Sequence, residues 1–144
     1  MSRYRVVFFF GILILLTFSS TSTKAFHKGI YYPRAPEALL EILQDMDNPF
    51  SPTRKNIEEG SKVYLGKGLC VKCHGVNGKG VEVPGHPPRN FTDPKWQDVR
   101  TDGEMMWVLK NGSPGTSMPI RVGKVISEEE GWKVILFIRT FAGV

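Results

Sequence analysis

Cys70-Val71-Lys72-Cys73-His74 sets two thiols three residues apart and an imidazole directly after the second. C-x-x-C-H is the attachment signature of a c-type haem. The thiols reach the two vinyl groups of one porphyrin and become thioethers, while the adjacent histidine is carried beneath the ring so that an imidazole nitrogen meets iron. Two other readings compete. A thioredoxin-like dithiol sits near a βαβ pattern, which this sequence lacks. Structural zinc takes four ligands, and with two cysteines and only His27, His74 and His86 in the chain such a site would need nearly every donor available. One haem c, bound through Cys70 and Cys73 and ligated by His74, is the expected cofactor.

Gly75, Gly78 and Gly80 follow at once. Glycine permits backbone conformations and close approaches that a Cβ blocks, as a chain turning tightly against a flat ring requires. A phosphate-cradling loop is the rival reading, but no strand precedes the run and no Gly-Lys-Ser/Thr ending occurs.

The second axial ligand decides whether the iron carries electrons or binds a substrate. Met118 stands in Gly115-Thr116-Ser117-Met118-Pro119, a stiff loop set before the last apolar helix, and is the expected ligand. Its plain structural reading is a methionine filling a gap. Met105 and Met106 fall in a helical pattern where packing accounts for them, and Met46 precedes the compact unit. His86, twelve residues after His74, would give a bis-histidine haem, and an open sixth position is the other alternative.

Around this centre the chain reads as helices and loops. Asn56 with Glu59 looks like the cap of a helix that puts Ile57, Gly60 and Tyr64 on one face. Thr101 to Asn111 carries Met105, Val108 and Leu109 at helical spacing and is stopped by Gly112. Ser127-Glu128-Glu129-Glu130 is a capping box with acids at the positive end of a helix dipole, and Val134, Phe137, Ile138 and Phe141 then repeat at i, i+3, i+4, i+7. Trp132, Ile135 and Leu136 give that helix a second apolar face. Pro84, Pro87, Pro88 and Pro94 make residues 84–94 an ordered loop. No alternating strand pattern competes. Few large aliphatic clusters remain for a core, so a flat apolar disc would supply what the side chains lack.

The 144 residues, 41% hydrophobic and 23% charged, leave room for one domain and exclude a large multidomain enzyme. Two cysteines cannot make a disulfide framework. Of nineteen Lys and Arg, three (Arg3, Arg5, Lys24) lie in the first twenty-five residues; beyond them sixteen cations face fourteen acids, a net charge of only +2. The basic balance therefore gives no reason to expect a nucleic-acid partner. Those first residues have the three parts of a secretory signal: Arg3 and Arg5, the apolar run Val6 to Phe18, and small residues at Thr23-Lys24-Ala25. Residues 1–25 are read as a signal peptide cleaved after Ala25, the competing reading being an uncleaved anchor that holds the protein to a membrane; both export the remainder. Residues 26–50 form an N-terminal extension with one short helical pattern, Pro36 to Leu43, whose Leu39, Ile42 and Leu43 share a side. This extension is either docked on the main domain or an arm for a partner. Residues 51–144 form the main domain.

In chain order Gly60, Tyr64, Cys70-x-x-Cys73-His74-Gly75, Pro87-Pro88, Trp96, Asn111-Gly112, Met118-Pro119, Trp132 and Phe137-Ile138-Arg139-Thr140 resemble a class I monohaem bacterial cytochrome c over about residues 56–142. The attachment motif is highly specific, the Met-Pro loop less so, and the aromatics weakly. The resemblance implies an all-α cytochrome c fold, helices and long loops wrapped around one covalently attached haem. Its first and last helices would cross with Gly60 and Tyr64 on one side and Val134 and Phe137 on the other. It implies His74 and Met118 as axial ligands. A carbonyl of the Pro87-Pro88 pair, with Pro88 taken as the site residue, would accept the other imidazole N–H of His74 and fix its tautomer. Trp96 and Arg89 would meet the haem propionates, against plain roles as a core aromatic and a solvated loop cation.

Histidine and thioether sulfur together fill the iron's coordination, and the sulfur favours the ferrous state. No other residues make a catalytic constellation. The expected function is therefore not an enzyme's. It is one-electron transfer between a dehydrogenase or respiratory complex and an oxidase or other acceptor, in the periplasm or on the outer face of the cytoplasmic membrane. Lys67, Lys72, Lys79 and Lys124 either steer acidic redox partner proteins to the haem edge or form a solvated face. Two alternatives stand beside the carrier: a haem enzyme with an open or labile sixth position, doing peroxidase or nitrite chemistry, and the electron-transfer subunit of a larger membrane-bound oxidoreductase.

Overall fold

The computed structural model describes residues 31–82 and 87–142; the signal or anchor segment at residues 1–25 and the rival ligand His86 lie outside them. The described residues form six α-helices and no strand, in keeping with the all-α expectation. In chain order they are α1 (Glu37–Gln44), α2 (Arg54–Leu65), α3 (Val71–His74), α4 (Pro94–Val99), α5 (Asp102–Asn111) and α6 (Glu128–Arg139).

Helix ends follow from local side chains. In α6 the Ser127 hydroxyl accepts the Glu130 N–H at 3.2 Å while the Glu130 carboxylate accepts the Ser127 N–H at 2.9 Å, satisfying two orphan donors reciprocally. Thr101 and Glu104 do the same for α5, which Gly112 closes at φ 74°. α2 starts earlier than the sequence suggests: Thr53 caps it, and Asn56 turns its side chain to the Ser51 carbonyl at 2.9 Å. α4 begins at Pro94, the last residue of the stretch read as a loop, and runs through residues that the sequence assigned to no helix. Asp93 accepts the Trp96 N–H, which puts Pro94 at the first helical position, where a missing N–H costs nothing.

The main packing is α2 against α6. It is set by Gly60, where a Cβ would stand 1.9 Å from the Lys133 carbonyl oxygen and 3.0 Å from the Val134 nitrogen. One turn on, Tyr64 and Phe137 meet edge to face with ring centroids 5.1 Å apart. The crossing implied by the family resemblance is therefore present, and Tyr64, Val134 and Ile135 beside it are wholly buried.

The N-terminal extension lies on the main domain, with α1 against α5. Leu43 and Ala35 are buried, whereas Leu39 and Ile42 remain exposed, so the side shared by 39, 42 and 43 in the sequence is only one-third used. The close approach needs Gly103: a Cβ there would come within 2.2 Å of the Leu43 carbonyl. Beneath α1, Arg100 and Glu104 make a buried ion pair at 2.8 Å. Arg100 also donates to the Tyr31 carbonyl at 2.9 Å, and the Thr101 hydroxyl to that of Leu43 at 3.1 Å. Removing one partner of such a pair leaves a buried charge without compensation, worth about 3–5 kcal/mol. Glu104→Ala is expected to lower stability by about 3 kcal/mol in denaturant titration, and the double change Arg100→Met with Glu104→Leu by much less.

Candidate functional site

The Cys-x-x-Cys-His segment leaves α2 through Leu69, whose φ of 55° is the left-handed region, costly for a branched side chain. Cys70 caps the single turn of α3, which ends on His74. Cys70 is buried with its sulfur 3.6 Å from the Gly68 carbonyl, whereas Cys73 is exposed one turn away. Burial pushes the Cys70 thiol up to about 11. Redox dithiols depend on a lowered thiol pKa, so the environment speaks against that reading.

His74 is buried, and desolvation holds its pKa below the usual imidazole range despite the pull of a carbonyl in the other direction. It is thus neutral at pH 7, the form that binds a metal. Its Nδ1 lies 3.1 Å from the Arg89 carbonyl oxygen. Because a carbonyl only accepts, Nδ1 carries the proton and Nε2 is left with its lone pair for a ligand. The acceptor assigned to Pro88 is corrected by one residue. The Pro88 carbonyl instead faces Gly80, where a Cβ would sit 3.2 Å from it.

The glycine run does what its composition suggests. Gly75, Gly78 and Gly80 all have positive φ (72°, 71° and 86°). The turn folds back on α3 as the Gly80 and Val81 N–H groups donate to the His74 and Cys73 carbonyls at 2.9 and 2.8 Å. Gly78 lies flat against the Phe141 ring, 2.7 Å from where a Cβ would be. The Tyr64 hydroxyl holds the Gly75 carbonyl at 2.8 Å, tying the site to the α2–α6 crossing.

Phe91, which the sequence did not single out, stacks on His74 with centroids 4.2 Å and planes 18° apart. Trp96 is a buried core aromatic 5.4 Å from Phe91, and the Arg89 guanidinium lies 5.8 Å from the Trp96 ring centre. Arg89 and Trp96 are therefore together. Gln97 fixes the same region by donating to the Phe91 and Ile138 carbonyls at 2.7 and 3.1 Å.

Met118 lies in the return loop after α5 and packs, partly buried, against the core cluster that contains Cys70. Its carbonyl accepts the Ser113 N–H at 3.0 Å, and its N–H donates to the Thr116 hydroxyl at 3.2 Å. Gly112 has no room for a Cβ, which would be 2.9 Å from that carbonyl. Met105 and Met106 are buried in α5, as packing residues should be. Of the four lysines considered for steering, Lys67 is paired with Glu130 at 2.6 Å, while Lys72, Lys79 and Lys124 are exposed.

The donor set fits a covalent porphyrin: two thiols one turn apart, a neutral buried imidazole with Nε2 free of hydrogen, and glycines that keep the backbone low. Comparison with known families matches residues 57–142, more than half of the chain, to the cytochrome c model. The chain belongs to the cytochrome c family. As a cytochrome c it carries haem c, attached through Cys70 and Cys73. Among solved structures the cytochrome is similar to a chain of the Kuenenia stuttgartiensis reducing HAO-like protein complex Kustc0457/Kustc0458, at 27% identity and TM-score 0.54 over 67% of this chain and 49% of that one. This cytochrome thus spans about half the length of that relative. It is also similar to the KustC0563 c-type cytochrome, at 28% identity and TM-score 0.49 over 58% of this chain and 96% of that one. Cytochrome CL from Methylophaga aminisulfidivorans, at 17% identity and TM-score 0.52 over 74% and 68% of the two chains, shares the fold. No curated protein sequence matches it.

Proposed function

We propose that the protein is an exported one-electron carrier whose iron is ligated by His74 and Met118. The observation that carries the reading is His74 itself: buried, neutral, and tied through Nδ1 to the Arg89 carbonyl at 3.1 Å, which points its donor character to Nε2. Haem c supplies a reversible single-electron couple when bound. The residues of this chain then do three things. Cys70 and Cys73 hold the group covalently, so it is not lost between partners. His74 donates to the metal with its orientation fixed by a backbone carbonyl. Met118, anchored in a loop by Ser113 and Thr116, would supply a second, thioether ligand, which favours the ferrous state. A metal held by both His74 and Met118 would exchange charge and leave no place for a substrate.

Partners follow from the surface and the leader. Exposed Lys72 and Lys79 flank His74 in sequence, and with Lys124 they suit acidic faces of a donor such as a dehydrogenase or respiratory complex and of an acceptor such as an oxidase. The basic, apolar and small-residue sequence of residues 1–25 supports export to the periplasm, or tethering at the outer face of the cytoplasmic membrane. Potentiometric titration of the purified protein tests the reading. One reversible step with a one-electron slope is expected in the absorption bands. A multi-electron or irreversible response would count against it.

The likeness to a chain of a multi-protein complex favours a second reading, in which the same couple serves a larger oxidoreductase. Under it the protein would co-purify with fixed stoichiometry rather than as a free chain.

A further inference from the structure

Residues 31–50 precede the region matched by the family, yet they hold the segment that carries the hydrogen-bond partner of His74. Three contacts from that segment fix the imidazole and its turn. The Arg89 carbonyl faces Nδ1 at 3.1 Å, the Phe91 ring stacks on the imidazole, and the Phe91 N–H donates to the Gly78 carbonyl at 2.7 Å. The segment ends at Asp93, the cap of α4, and Asp93 is gripped from two sides. One carboxylate oxygen accepts the Trp96 N–H and the other accepts the Tyr31 hydroxyl, each at 3.3 Å.

Tyr31 also meets α4 further along. Lys95 sets its ammonium 4.5 Å from the centre of the Tyr31 ring, and Arg100, the residue that ends α4, donates to the Tyr31 carbonyl at 2.9 Å. One residue of the extension thus touches the helix at its cap, first turn and end. Only four peptide units separate Asp93 from Arg89, so a displaced cap is transmitted to the carbonyl that His74 uses.

We infer that Tyr31 is a positioning residue for the haem ligand: the extension braces α4, and through Asp93 it sets the hydrogen bond between His74 and Arg89. The inference rests on the carrier reading, with His74 as ligand. A strong Nδ1–H bond makes the imidazole a better donor and favours ferric iron, so loosening the brace raises the potential.

The test uses the haem-loaded protein and three variants. Tyr31→Phe removes only the hydroxyl, Tyr31→Ala also removes the ring, and Leu43→Ala empties a buried site of the same extension without touching Asp93. Midpoint potential and, in the ferrous protein, NMR exchange of the His74 Nδ1 proton are measured beside melting temperature. Tyr31→Ala is expected to shift the electron-exchange equilibrium with a reference couple roughly threefold toward the ferrous protein, about 30 mV for one electron, and to speed proton exchange about tenfold. Tyr31→Phe should move both less, in the same direction. Leu43→Ala should lower only the melting temperature. Wild-type potential and exchange in Tyr31→Ala, or equal shifts in Leu43→Ala, would overturn the brace. A wild-type protein with no one-electron couple would overturn the carrier reading, and the brace with it.

Discussion

Gly60→Ala is expected to be the most damaging single methyl group that can be added to this protein. Its Cβ would stand 1.9 Å from the Lys133 carbonyl oxygen and 2.5 Å from the carbonyl carbon. Both belong to backbone, so no rotamer change relieves the clash and α2 must move away from α6. Overpacking usually costs about 1–3 kcal/mol, and a backbone-to-backbone contact belongs at the top of that range. The movement would also part Tyr64 from Phe137 and loosen the Tyr64 hydroxyl from the Gly75 carbonyl, carrying the damage to the α3 turn. A loss of about 3 kcal/mol corresponds to a fall of roughly 15 °C in melting temperature for a domain of this size. Gly115→Ala is the control: its φ of 75° brings backbone strain of about 1–2 kcal/mol, but nothing lies within 4 Å of the added carbon. Equal melting temperatures for the two variants would show that the crossing is not set by Gly60.

Met118→Ala is expected to have the largest effect on the redox couple. Axial ligation tunes haem potentials over about 0.8 V, and thioether sulfur favours the reduced metal. Losing it should lower the midpoint by more than about 100 mV while leaving haem attached through Cys70 and Cys73. Met106→Leu separates ligation from packing. Met106 is almost wholly buried in α5, so a near-isosteric change there costs stability and leaves the potential near wild type. An unchanged midpoint in Met118→Ala would assign the sixth position to another group, His86 being the rival the sequence offers.

What could be read from sequence divides along physical lines. The starts of α5 and α6 were legible to within a residue because capping is local, Thr101 with Glu104 and Ser127 with Glu130 each satisfying their own helix, but the apolar repeat read through Phe141 overran α6, which ends at Arg139. α2 was placed three residues late because Thr53 and Asn56 are both good caps, and only the fold shows that Asn56 serves Ser51. α4 was hidden behind Pro94, which breaks helices in their interior yet opens them at the first position when an Asp precedes it; Asp93-Pro94 was the available signal.

The site divides the same way. Cys70, Cys73 and His74 were legible because covalent attachment and ligation demand particular side chains. The acceptor for His74 was missed by one residue because a backbone carbonyl has no identity in sequence, and its place depends on how Pro88 settles against Gly80. Phe91 escaped notice because an aromatic in a loop has no period to reveal its face. The bracing by Tyr31 depends on contacts more than sixty residues apart, which no local pattern encodes.

The central claim, an iron closed on both faces that trades only electrons, is tested most directly by adding carbon monoxide to the reduced native protein and recording its absorption spectrum. The account predicts Soret and visible bands that stay where they were. Prompt formation of a carbon monoxide adduct would contradict it and turn the reading toward an open, substrate-binding haem.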